Sequence, residues 1–238
     1  MPLPKKISPC PIVEANIEIR FESEMPSEAV FGVVYNQFKN EYKGLEKLPI
    51  LQIPEEIRSQ DPALMFQACY RLTSENLIIS IGPKVISIAC VKEYVGWDDF
   101  SAKALEILLK INESGIISKL LRVGLRYINF FDGNILDRID LSAKIGENSL
   151  ASNNTFVKTE FTKNDYSIVL QVANNANILI RNKQKIGSII DIDTSISQFS
   201  KDTFGVSSKL LGDAHAEGKQ LFISLLKKDF LESLNPEY

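Results

Sequence analysis

The stretch that most limits what this chain can fold into is VEANIEIRFES, residues 13–23, because its alternation is unbroken. Val13, Ala15, Ile17, Ile19 and Phe21 fall on one side of an extended chain, and Glu14, Asn16, Glu18, Arg20 and Glu22 on the other. A period of two marks a strand buried on one face only. Such a strand needs a sheet with a core on one side, and antiparallel sheets commonly leave the second side wet. The polar side then has two readings: a solvated, ion-paired sheet face, or the wall of a binding site.

The pattern downstream supplies neighbours for that strand. Pro26 suits a first helical turn, and Val30, Val33, Val34 and Phe38 give a helix over about 26–43 an apolar stripe. Residues 44–64 carry Pro49, Pro54 and Pro62 with little regular pattern, and so long a connection is a candidate lid. Three strand signals follow, LMFQACYRL, NLIISIG and KVISIACVKEY, read as an antiparallel meander. Asp98 or Asp99 can cap a helix whose stripe is Phe100, Ala104, Ile107, Leu108 and Ile111, ending at Gly115. The strand KLLRVGLRYINFF then sets Leu121, Val123, Leu125 and Tyr127 on one face and Arg122, Gly124 and Arg126 on the other.

Strand, helix, strands, helix, strand is the order of a ferredoxin-like unit with one added strand. In that topology the last strand lies beside the first and antiparallel to it. Glu14 and Glu18 would then oppose Arg122 and Arg126, each such pair contributing about 0.2–1 kcal/mol. The second half repeats the theme: a short helix in NILDRIDLSAK, a polar loop GENSLASNN, strands TFVKTEF, YSIVLQV, ANILIR and GSIIDIDTSI with turns at Asn164-Asp165 and Asn174-Asn175, and a closing helix over about 208–234. Leu221, Phe222, Leu225, Leu226 and Phe230 form its stripe. The expected fold class is therefore α+β, antiparallel sheets with helices packed on one face, readable as two ferredoxin-like halves. The halves are residues 1–118 and 119–238, packed as one globular unit with a radius of gyration near ~18 Å.

Composition excludes more than it assigns. With 45% hydrophobic and 24% charged residues and a formal charge of -3, the 238-residue chain is of ordinary globular type, and net charge gives no hint of nucleic-acid affinity. Cys10, Cys69 and Cys90 are too few and too scattered for a disulfide framework. The start, MPLPKKISPCPIVEA, has no apolar stretch after its lysines, and no run is long enough to span a bilayer, so a cytoplasmic protein without a membrane segment is expected.

Several motifs invite a chemistry and fall short of it. GDAHAEGKQ, residues 212–220, has the wrong glycine spacing for a phosphate loop and no Ser or Thr after Lys219. His215 is the only histidine, no nucleophile signature accompanies it, and one His with three dispersed Cys does not make a zinc site. Trp97 and Tyr94 read first as packing residues and second as a stacking platform. Arg122, Arg126 and Tyr127 are the nearest approach to a basic and aromatic cluster, too short to indicate nucleic acid. Glu14 and Glu18 stand about 13 Å apart along a strand, too far to chelate one cation together. Lys158, Glu160, Asp191 and Asp193 would make a mixed-charge tunnel if they shared a cavity with the first-half strands. No residue set points to a catalytic centre or a resident metal, and the cofactor is left open. The candidate ligand-binding residues are Glu14, Glu18, Arg20, Arg122, Arg126 and Tyr127.

PLPKKISPCPIVEANIEIRF, RVGLRYINFF and the closing helix from His215 through Phe222 together resemble an uncharacterised family of sporadically distributed bacterial proteins. The matching positions are Pro11, Ile12, Val13, Glu14, Ala15, Ile19, Arg20 and Phe21, then Gly124, Leu125, Arg126, Tyr127, Ile128 and Asn129. The resemblance implies a bacterial or mobile-element origin and an intracellular protein, and it carries no activity. A weaker likeness is to the triphosphate-tunnel enzymes, where Asn16 stands in place of the second Glu of their alternating strand. The expectation is an intracellular binding or interaction protein that self-associates or works with a protein partner in a bacterial multi-component system. The alternatives are a metal-dependent phosphohydrolase or nucleotidyl enzyme using the charged strand face, and a small-molecule sensor.

Overall fold

In a computed structural model, residues 3–90, 92–142, 144–149, 154–180, 183–199 and 206–238 are described. The elements run β1 (Ile12–Glu22), α1 (Ser27–Phe38), β2 (Gly44–Lys47), a 3-10 turn (Pro49–Gln52), α2 (Glu55–Gln60), β3 (Tyr70–Thr73), β4 (Leu77–Gly82), β5 (Val85–Cys90), α3 (Trp97–Glu113) and β6 (Lys119–Asp132). They continue with β7 (Lys144–Ile145), β8 (Asn148–Ser149), β9 (Thr155–Lys163), β10 (Tyr166–Ile180), β11 (Lys183–Ile196), α4 (Ser208–Leu225) and α5 (Lys228–Ser233). The class is α+β, with a nine-stranded sheet in the order β2-β3-β4-β5-β1-β6-β11-β10-β9 and a separate β7-β8 hairpin. Two compact units divide the chain, one of residues 16–125 with 195–212, the other of residues 1–15, 126–194 and 213–238.

In the first of these units the alternation of β1 is realised as burial. Ile17, Ile19 and Phe21 are fully buried, and β5 pairs antiparallel with β1 so that Ile88 faces Ile17 and Ile86 faces Ile19. Val30, Val34 and Phe38 of α1 and Phe100, Ala104, Ile107, Leu108 and Ile111 of α3 are buried. Both helices therefore meet the core with the stripes their spacing sets out. The expected lid is largely regular structure instead. Residues 44–47 pair with β3 as a terminal strand, and Arg58 ties the following segment down by donating to the Ile53 carbonyl at 2.9 Å and to the Cys69 sulfur at 2.9 Å. Gly82 lies directly under the Gln67 carbonyl, where a Cβ would collide with it. The strand expected from Leu64 starts only at Tyr70, because residues 62–66 are turn.

In the second unit three expectations are corrected. No helix forms at 134–144 among the described residues: the Asn174 carboxamide oxygen accepts from the buried Ile135 N at 2.9 Å, and Asn134 Oδ1 accepts from Leu136 N at 2.9 Å, which commits this stretch to turns. Asn174 and Asn175 do not turn the chain either. β10 runs through them, with Asn175 at φ 51°, a left-handed conformation that Asn tolerates better than most residues. The long closing helix breaks after Leu225, since Asp140 N donates to the Leu225 carbonyl at 2.7 Å and Lys227 N to the Arg138 carbonyl at 3.0 Å. The turn at Asn164-Asp165 forms as expected, with both residues at positive φ and Lys163 facing Tyr166 across it. The polar loop begins as the β7-β8 hairpin, whereas its residues 150–153 lie outside the described set, as do 181 and 182 after β10. The N-terminal arm and the C-terminal tail also zip together: Lys5 N donates to the Glu237 carbonyl at 2.6 Å and Ser8 N to the Leu234 carbonyl at 2.6 Å.

Candidate functional site

A line of polar side chains crosses the wet face of the first unit. Glu46 lies opposite Arg71, Arg71 opposite Ser80, Ser80 opposite Ser87, and Ser87 opposite Glu18. Glu18 then accepts on one carboxylate oxygen from Arg20 Nε at 2.8 Å and from Arg122 Nη1 at 3.0 Å. The Arg122 guanidinium lies across the Cα of Gly124, where any Cβ would collide with it, so this glycine supplies the space in which the ion pair sits. The Arg20 guanidinium stands 5.0 Å from the centre of the Phe66 ring. Phe66 comes from the turn that replaces the start of the expected LMFQACYRL strand, and no spacing rule would have found it.

The second unit holds the other strand cation. Arg126 donates to Asp191 through a two-pronged contact, Nε to Oδ1 at 2.9 Å and Nη2 to Oδ2 at 2.6 Å, while Gln171 Nε2 donates to Asp191 Oδ2 at 3.0 Å. This fork holds the Arg126 guanidinium proton even more firmly than usual. Asp191 is buried, and its charge is met by two donors. Glu14 is exposed and acts on Arg126 only through its field. Of the two cross-strand pairs expected from β1 and β6, Glu18 with Arg122 therefore forms, and Arg126 takes Asp191.

Tyr127 points to the apolar side of the same unit. Its hydroxyl lies 3.1 Å from His215 Nδ1, with the rings edge to face at 5.8 Å, and burial together with Lys219 pushes the imidazole down to about 4. His215 is thus a neutral packing and hydrogen-bonding residue near physiological pH. One turn further along α4, Gly218 lies close over Thr194, whose hydroxyl a Cβ would approach to 3.0 Å. The candidates consequently fall into separate clusters: Glu18, Arg20 and Arg122 together, Arg126 with Asp191, Tyr127 with His215, and Glu14 apart.

A cleft of 460 Å³ in the first unit is lined by Tyr42, Leu77 and Phe100, which are buried, and by Glu41, Glu75, Asp99 and Lys103. Burial and the neighbouring Glu41 push the Tyr42 phenol up to about 12, so it stays protonated as a hydrogen-bond donor. Tyr94 packs edge-on against Phe100 at 6.1 Å. Among the described residues no group of three or more His, Cys, Asp or Glu side chains could hold a metal ion, and no helix is long and apolar enough to cross a membrane. No family model matches the chain, and no curated protein matches it.

Proposed function

We propose that the protein is an intracellular binding or interaction protein, one component of a bacterial multi-component system. The observation that carries this reading is where the strand cations go: Arg20 and Arg122 converge on Glu18, and Arg126 closes its fork on Asp191. Guanidinium groups meant to grip a phosphoryl group need their donor edges presented to the ligand. Here those edges face carboxylates of the same chain, which supports reading the charged face as scaffold. The order β4-β5-β1-β6, with α1 and α3 in the connections, supports a ferredoxin-like description of the first half.

Native mass spectrometry of the protein purified gently from its own host tests the reading. The expected spectrum shows a homo-oligomer or a stoichiometric protein complex without a nucleotide or polyphosphate adduct. An adduct that disappears in Arg126→Ala, or metal-dependent turnover abolished by Glu18→Gln in a folded protein, would establish the phosphohydrolase alternative in its place.

A further inference from the structure

β9 closes one end of the strand order and has no buried residue, with Phe156 64% and Phe161 36% exposed. At the other end β2 is only four residues long, a length that protects an edge by itself. β9 is nine residues long and presents one whole backbone edge without a strand beside it among the described residues. Lys163 faces Tyr166 across the two-residue turn, which makes that pair hydrogen-bonded and fixes the alternation along β9. Residues 155, 157, 159, 161 and 163 then direct their backbone groups at β10. Residues 156, 158, 160 and 162 direct theirs outward.

We infer that this edge pairs with the same edge of a second copy, antiparallel and about a two-fold axis at Thr159. The inference rests on the interaction reading above and names its partner. In this register Lys158 faces the second copy's Glu160 and its own Glu160 faces the second copy's Lys158. Val157 meets Phe161, Phe156 meets Thr162, and all four outward residues of each strand meet outward residues, as an antiparallel ladder requires. Shifting the axis by one residue sets Lys158 against Lys158 or Glu160 against Glu160, and like charges directly opposite are unfavourable. Glu160 already accepts from the Ser167 hydroxyl at 2.7 Å, which orients its carboxylate, whereas Lys158 has no hydrogen bond or ion pair among the described residues. A lone lysine on an edge normally repels a second strand. Two-fold pairing turns this one into half of a complementary pair.

Sedimentation velocity of the full chain across the micromolar range tests the arrangement by charge exchange. Wild type is expected to dimerise with rising concentration, and Lys158→Glu or Glu160→Lys alone to weaken the dimer about tenfold or more, since each reversal converts two attractive pairs into two repulsive ones. The double exchange K158E/E160K restores the dimer, and mixing the two single variants gives a one-to-one heterodimer. A second variant, Thr159→Cys in a Cys10→Ser background, is expected to form an intermolecular disulfide under mild oxidation, because the two copies of residue 159 would stand about 4.5 Å apart between Cα atoms, inside disulfide range. A monomer at every concentration overturns the inference while leaving the interaction reading to the host-purified complex. A dimer indifferent to charge reversal, or one that Thr159→Cys does not cross-link, overturns it in favour of another surface.

Discussion

β1 and β9 both carry charged residues at alternate positions, Glu18 and Arg20 in one and Lys158 and Glu160 in the other, yet they end up in opposite circumstances. β1 lies between β5 and β6, and every second residue from Ala15 to Phe21 is fully buried. Among the described residues β9 has a neighbouring strand on one side only, and its two phenylalanines stay 64% and 36% exposed. Alternation reports that a strand has two unlike faces. How much lies against each face is set by the strand's place in the sheet, which depends on the rest of the chain.

The comparison breaks most decisively in β1. Ile17→Ala removes a fully buried side chain wedged against Ile88 and is expected to cost about 2–5 kcal/mol in urea unfolding. Asn174→Ala comes next, in the strand that separates β9 from the interior. It leaves the Ile135 amide without its acceptor, and a loss of about 1–3 kcal/mol is expected, with the 133–137 turn becoming more open to hydrogen exchange.

The titration of His215 ranks third. Its folded pKa, about 4, lies below the unfolded value of 6.5, so the unfolded chain binds the proton more readily. The stabilisation is complete above about pH 6.5 and is lost as the pH falls towards 4. A single histidine makes this directly readable as an imidazole NMR titration with a midpoint near 4, and the acid sensitivity of stability over that window should be smaller in His215→Gln. A midpoint near 6.5 would contradict the packing described for Tyr127 and α4. The smallest effect is expected in β9 itself: Phe156→Ala should change monomer stability by less than about 1 kcal/mol, since that side chain is already 64% exposed. A larger loss would mean that β9 is covered in solution.

What the sequence made legible was periodic. The core stripes of α1 and α3 and the faces of β1 and β6 follow from spacings of two and of three to four, which any neighbour would respect, whereas α3 starts at Trp97 behind Gly96, so Asp98 and Asp99 lie in its first turn and neither caps it. The misreadings share a cause in side chains that act at a distance. Asn174 and Asn175 look like a turn, but a carboxamide in a strand can equally serve a backbone amide 39 residues away. That same bond removes the helix expected at 134–144, where local propensity gave no warning. Alternation sets Arg126 on the polar face of β6, whereas its partner is decided by β11 lying beside β6. Asp191 is one of two aspartates on GSIIDIDTSI, and nothing local separates it from Asp193.

The pairing of the arm with the tail has a consequence for how the chain may be cut. Residues 5–8 and 234–237 run side by side, held by the Lys5 and Ser8 amides. A short linker across that junction, with new ends opened at the Asn164-Asp165 turn, would give a circular permutant that keeps every strand intact, and loop-closure entropy grows slowly enough to allow it. Biosynthesis would then begin with β10 and finish with β9, the reverse of their native order, and the hairpin they form would have to close from its two free ends.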